Sequence, residues 1–221
     1  MLSLLLPTKR PQSFSEFCQS IQATARDLSQ IEVVCRVDDT DQAAYAEISA
    51  FPFSVRQLVM PNCFPRLNEM WNSCWRAARG DIFMLCGDDI RFTSPDWDQI
   101  VVEDLMEFPN QIGFVFGPDG RFDQSLGTHG FVHRNWTDKL GYFTPIHPFT
   151  YFNDSWIDRV ARAAMRFKYD PRIVVDHVPY SGGKMNLDGI HQRMLAEFER
   201  DKAQWDSLQA EIRDEAKKLV S

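Results

Sequence analysis

Two short apolar runs, LSLLLP at residues 2–7 and IEVVCRV at 31–37, constrain this chain most, because both are rich in β-formers and a helix fits between them. The intervening segment marks its own start. Pro11 precedes Ser13, a side chain able to cap, with Glu16 three residues on, and Phe14, Phe17, Cys18, Ile21, Ala25 and Leu28 recur at helical spacing. A third strand, SVRQLVM at 54–60, precedes a helix through Leu67, Trp71, Cys74 and Ala78, expected to end at Gly80 in a left-handed cap. DIFMLC at 81–86 then re-enters the core. Strands and helices alternating at these lengths imply an α/β fold, a mainly parallel sheet flanked by helices, with ligands at the carboxyl ends of the strands.

Past that point the pattern loosens. Ser94-Pro95 opens a helix with Trp97, Ile100, Val101 and Leu105, and IGFVF (112–116) and GFVH (130–133) read as strands. A helix is expected over Asp154–Lys168, with Ile157, Val160, Ala164 and Phe167 on one face, and RIVV (172–175) reads as the last strand. From about Leu187 to Leu219 a charged helix carries an apolar stripe (Ile190, Met194, Phe198, Trp205, Leu208, Ile212, Leu219), which the main domain or a second subunit must cover. The division expected is a main domain over 1–180 and a lid loop with an amphipathic helix over 181–221.

A chain of 221 residues with 44% hydrophobic positions can bury one sizeable core. No apolar stretch approaches the roughly 20 residues that span a bilayer, and the opening MLSLLLPTKRPQ places its apolar run before its basic residues, the reverse of a secretory signal. Five cysteines, an odd number without CxxC spacing, fit a reduced compartment, so a soluble cytoplasmic protein is the expectation. The formal charge of −7 argues against broad attraction to nucleic acid.

No glycine occurs before Gly80, which excludes a Gly-rich phosphate cradle in the first β-α turn. Three acidic clusters remain: Asp38, Asp39 and Asp41 after the second strand, Asp88 and Asp89 after DIFMLC, and Asp154 at a helix start. Aspartate at such places ordinarily caps a turn or helix. With Ser94 available as the next cap, however, Asp88 and Asp89 look surplus to structure. Two carboxylates about 4 Å apart repel by roughly 4 kcal/mol at an effective dielectric near 20, and a divalent cation offsets this. Mg²⁺ or Mn²⁺ held by one or two carboxylates plus phosphates suits a nucleoside diphosphate. His177, just beyond RIVV, draws attention through its place relative to Asp89.

LLLPTKR, VVCRVDD, the segment from Asn72 through IFMLCGDDI, FVHRNWTDKLGYF, FNDSWIDRVAR and YDPRIVVDH occur in an order that resembles the GT-A fold glycosyltransferases of the large, mostly inverting nucleotide-sugar group, over about residues 2–180. The resemblance implies a GT-A-like (Rossmann-like) sheet with a C-terminal helical extension. It implies a nucleotide-sugar donor, a UDP-sugar first, and a Mn²⁺ or Mg²⁺ cofactor. It further implies that Pro7, Thr8 and Arg10 lie under the nucleotide, that Asp39 reads the base, that Asp88 meets the ribose or sugar, and that Asp89 and His177 hold the metal. Asp154 matches the general base of a Glu-Asp pair, with His129, His133 or Asp158 as alternatives, and Lys184 in SGGKMNLD (181–188) resembles a lid residue facing the diphosphate. Two positions depart from the pattern: Gly87 stands for the first Asp of DxD, and Asn153 for the usual Glu. The activity implied is metal-dependent transfer of a sugar to an acceptor hydroxyl with inversion; a nucleotidyltransferase and a silent nucleotide-sugar-binding domain are the alternatives. The acceptor stays open between a saccharide, a lipid-linked sugar, a protein side chain, a metabolite and a modified DNA base. Trp136, Tyr142, Phe143, Phe149, Tyr151 and Trp156 are available either for stacking or for the core.

Overall fold

The computed structural model describes residues 1–45, 50–178 and 189–221. The first β-α-β unit forms as the apolar runs require: β1 (Leu2–Pro7), α1 (Pro11–Thr24) and β2 (Ile31–Asp38). β3 (Ser54–Met60), α3 (Leu67–Ala77) and β4 (Ile82–Leu85) follow, with a short helix α2 (Gln42–Tyr45) between β2 and β3. The chain continues through β5 (Ile90–Phe92), α4 (Trp97–Met106), β6 (Phe114–Phe116), β7 (Phe131–His133), α5 (Arg134–Leu140), α6 (Asn153–Ala163), β8 (Phe167–Tyr169) and β9 (Val175–His177). Three helices end it: α7 (Gly189–Leu195), α8 (Phe198–Ser207) and α9 (Gln209–Val220).

Seven strands make one sheet in the order β3-β2-β1-β4-β7-β6-β8. All neighbours are parallel except those of β7, which runs antiparallel to both β4 and β6. Side chains alternate across the pleat. Leu4, Leu6, Val33, Cys35, Val37 and Met84 therefore face the layer of α1 and α4, packed on Phe14, Phe17, Ile21, Trp97 and Val101. Leu5, Val34, Phe83 and Leu85 face the opposite layer, with Cys74 of α3, Trp136 of α5, Trp156 and Val160 of α6, and Ile212, Ala216 and Leu219 of α9. The stripe of the last helix is thus covered by the chain's own core. β5 and β9 form a separate antiparallel ribbon. Buried Cys18, Cys35 and Cys74 behave as small hydrophobes, with thiols pushed up to about 12 by burial.

Several boundaries differ from the sequence reading. α1 starts at Pro11, with Arg10 at its cap, so Ser13 lies inside the first turn, and Glu16 accepts from Gln12 and pairs with Arg91. α3 ends at Ala77, and Gly80 has no left-handed φ; its value is space, since a Cβ there would strike Met1 O and Ser3 Oγ. Ser94 does not cap α4. Its hydroxyl accepts from Val174 N at 2.9 Å, while Asp96 stands at the cap in a left-handed conformation. α6 stops at Ala163, Met165 turns left-handed at φ 53, and Phe167–Tyr169 becomes a strand parallel to β6. The last strand begins at Val175, so His177 is its final residue. The C-terminal stripe belongs to three helices instead of one, broken at Ala196–Glu197 and at Leu208. Among the described residues no helix is long and apolar enough to cross a membrane.

Candidate active site

The carboxyl ends of β1, β2 and β4 meet around one carboxylate. Asp88 is 4% exposed, and its Oδ2 accepts from Thr8 Oγ1 at 2.8 Å and from the backbone N–H groups of Lys9 and Arg10 at 3.2 Å each. Its Oδ1 pairs with the Arg10 guanidinium. Burial pushes this carboxyl above the usual carboxylate range, Arg10 pulls it back, and the neighbouring Asp89 adds to the rise. Asp88 therefore staples the turn after β1 to the end of β4, and is not surplus to structure. Thr8, also bonded to Tyr45 Oη at 2.8 Å, and Arg10 belong to that staple, and Pro7 sits in register with Arg36 at the end of β1.

Beside it, β2 ends in Asp38, 3% exposed, which binds Lys9 Nζ at 2.7 Å and Asn62 Nδ2 at 2.6 Å. Lys9 also reaches Asp41 at 3.5 Å; burial works against its charge, yet the bond and attraction to Asp38 leave its pKa raised. Asp39 opens a short 3-10 turn, is exposed, and accepts from Thr40 N at 2.9 Å. The sequence names Asp38 only as one of an acidic cluster in which the family resemblance points to Asp39, and gives no sign of Lys9 or Asn62. In the structure Asp38 continues the unbroken burial of β2 and faces Met60 across the ladder.

Asp89 stands differently. Its Oδ2 lies 3.7 Å from His177 Nε2 and 3.9 Å from Arg10 Nη1, with the side chains of Asp89 and His177 19% and 16% exposed. The ribbon brings them together: Ile90 pairs with His177, and Val178 N donates to Asp89 O at 2.9 Å. Gly87 has a matching reason, because a Cβ there would run into Asp89 Oδ1. Among the described residues no three His, Cys, Asp or Glu groups form a ready cation cage. The Asp89–His177 pair fits the smaller requirement of an ion that also takes phosphate oxygens.

Asp154, in the first turn of α6, lies within electrostatic reach of His177. Burial pushes its carboxyl up to about 6, against bonds from Ser155 N (2.6 Å) and Ser155 Oγ, with Asp158 raising it further and His177 lowering it. A carboxylate ionised at neutral pH yet closer to it than usual suits proton abstraction. Of the other candidate bases, Asp158 is tied to Arg162 at 2.7 Å and to Gly127 N. His133 pairs with Ile82, at the end of β4 opposite Asp89, and caps α5 through Asn135 N. His129 does join the group: it is 9% exposed, its ring is 5.1 Å from that of His177, and Nδ1 faces Leu85 O at 3.3 Å. Burial lowers its pKa to about 4, so it stays neutral. Trp136, Tyr142, Phe143, Phe149 and Trp156 are buried in the core, leaving Tyr151 half-buried near Asp154. Lys184 lies outside the described residues. Two surface depressions, along Met106–Ile112 with Asn135–Lys139 and between α6 and α9, contain none of these groups.

No family model matches the chain, and no curated protein does. Among solved structures, the mannosyltransferase PcManGT from Pyrobaculum calidifontis, in complex with GDP-Man and Mn²⁺, superposes with a TM-score of 0.63 at 19% identity, over 82% of this chain and 58% of that one. S. aureus TarS 1–349 in complex with UDP-GlcNAc gives a TM-score of 0.57 at 14% identity, over 79% of this chain and 57% of TarS 1–349. The same TarS fragment with UDP gives 0.58 at 15% identity, over 89% and 70%. The fold is GT-A-like, as the ordered segments implied, and the chain spans less than two thirds of the first two of these structures.

Proposed function

We propose that this chain is a glycosyltransferase that moves a sugar from a nucleoside-diphosphate sugar to an acceptor hydroxyl, with inversion. The observation that carries this reading is the approach of Asp89 to His177 at 3.7 Å, with Asp154 in electrostatic reach, at the carboxyl ends of the central strands. In the same fold PcManGT carries GDP-Man and Mn²⁺, and TarS carries UDP-GlcNAc.

In the proposed reaction the nucleotide lies across Pro7, Thr8, Arg10 and Asp39, with Asp88 holding the turn that shapes this surface. Lys184 is assigned to the diphosphate. Asp89 and His177 hold Mn²⁺ or Mg²⁺, which supplies Lewis-acid stabilisation of the departing diphosphate. Asp154 accepts the acceptor hydroxyl proton as that oxygen attacks the anomeric carbon, and the bond to the diphosphate breaks on the opposite face. Neutral His129 lines the same space.

The test is a panel of nucleotide sugars, UDP-sugars and GDP-mannose first, assayed for thermal protection with and without Mn²⁺. A true donor at a hundred times its Kd adds about 2.7 kcal/mol of stability. Protection by one nucleotide series that disappears on chelation supports the reading. Protection by none, or release of pyrophosphate in place of nucleoside diphosphate during turnover, overturns it.

A further inference from the structure

The loop that leads into α6 has no regular structure of its own between Gly141 and Phe152, so many of its backbone groups look to side chains for partners. From one side α3 does this: Asn72 Oδ1 accepts from Phe143 N and Thr144 N, at 3.0 and 3.1 Å, and Asn68 Nδ2 donates to Pro145 O. The end of the loop nearest Asp154 is held from the other side, by the C-terminal helices. Asp201 of α8 is fully buried, and its Oδ2 accepts from both Thr150 N and Tyr151 N at 2.7 Å. Arg200 Nε balances the charge, 2.9 Å from Oδ1.

Asp201 does not act alone. Phe198 and Trp205, three residues before it and four after, share its face of α8. The Tyr151 ring stands 5.4 Å from Phe198, and Phe152 stacks on Trp205 at 5.2 Å and 12°. Phe152, at the cap of α6, has φ 65, a conformation that a bulky residue keeps only where its surroundings impose it. One helix face thus fixes three consecutive residues, 150–152, two positions ahead of Asp154. A buried carboxylate that gives one oxygen to two backbone N–H groups of a distant loop and the other to Arg200 fits a part that sets position.

We propose that Asp201 is a positioning residue for Asp154, so that the C-terminal extension sets the geometry of proton abstraction. This rests on the reading of Asp154 as the base. The test uses the full chain with Mn²⁺ and the probes UDP-GlcNAc and GDP-mannose, measuring donor Kd by calorimetry and single-turnover sugar release to water. Asp201→Ala is expected to lower the rate by about 10–100-fold, the scale of a small misplacement of reacting groups, with Kd unchanged within about twofold. Asp201→Asn keeps an oxygen for the two N–H groups and should restore most of the rate.

An Asp201→Ala protein that turns over at the wild-type rate, or one that loses Kd and rate together, overturns the proposal. If the alanine variant does not fold, Asp201→Glu takes its place, since its longer side chain keeps the charge but displaces the loop; a wild-type rate in that variant is equally fatal. Asp154→Asn, run in parallel, separates the two ideas. A wild-type rate there removes the base itself, whereas a slow Asp154→Asn beside a fast Asp201→Ala removes only the positioning role.

Discussion

The two sides of the site are built by different means. On the strand-end side, Thr8, Lys9, Arg10, Asp38 and Asp88 are cross-linked by charge within the first β-α turn and its neighbours. On the helix side, Asp154 depends on a loop held by α3 and by α8, whose Asp201 lies 50 residues along the chain from Tyr151. The strand-end partners lie up to 80 residues apart in sequence but close between the adjacent strands β1 and β4, so the sheet itself holds that shelf. Support brought from the C-terminus makes a wall that stands only if the whole chain is folded.

The sharpest way to break that comparison is at Asp154. Asp154→Asn keeps the shape of the helix start but cannot accept a proton, so turnover should fall by roughly two to four orders of magnitude while donor affinity stays. Single-turnover transfer, compared with calorimetry on the same protein, checks both halves. Next in size is Asp89→Ala, which should abolish the Mn²⁺-dependent part of nucleoside-diphosphate affinity without unfolding the protein; an unchanged titration removes Asp89 from the cation.

A middle-sized effect belongs to Asp88. Because Asp88→Ala leaves buried donors of the first turn without their acceptor, it should cost about 1–3 kcal/mol in urea unfolding, which sets it apart from Asp89→Ala. Acid supplies a comparable lever on the helix side. With its pKa raised in the folded state to about 6, Asp154 binds its proton more tightly folded than unfolded, so its contribution favours folding below the unfolded value and is lost as pH rises through about 6. That contribution is on the order of 3 kcal/mol at most. Activity should run the other way, declining below pH of about 6, and Asp154→Asn should flatten this part of the stability profile. The smallest effect is expected for Asp39→Ala. Exposed and bonded only to its neighbour's N–H among the bonds described, it should leave stability within about 0.5 kcal/mol while weakening binding of one nucleobase more than others.

The same contrast explains what could be read in the sequence. β1, β2, β3 and β4 follow from apolar runs, and Asp88, Asp89 and His177 from their places at strand ends, because those signals are local. β8 was hidden, since Met165 ends the preceding helix by turning left-handed without glycine or proline to announce it. The breaks between α7, α8 and α9 are equally unmarked, and the apolar stripe runs on across them. The structural part of Asp38 and Asp88 does not show in the sequence, because it depends on which donors reach each carboxylate, here Lys9, Asn62 and Arg10. Asp201 gave no signal at all, as a charged residue in a charged helix shows its burial only once the loop beneath it is in place.

The ribbon of β5 and β9 has one more consequence. Asp89 immediately precedes Ile90, and Ile90 faces His177, so main-chain pairing brings carboxylate and imidazole to the same place. Core substitutions that leave the ladder intact should keep both groups on the same side of the ribbon. A slip of one residue would instead present Asp176 or Val178 in place of His177, turning the imidazole to the other side of the ribbon. Register thus works as a coarse selector: the ladder decides whether the two groups share one side of the ribbon, and side-chain rotation sets the distance between them.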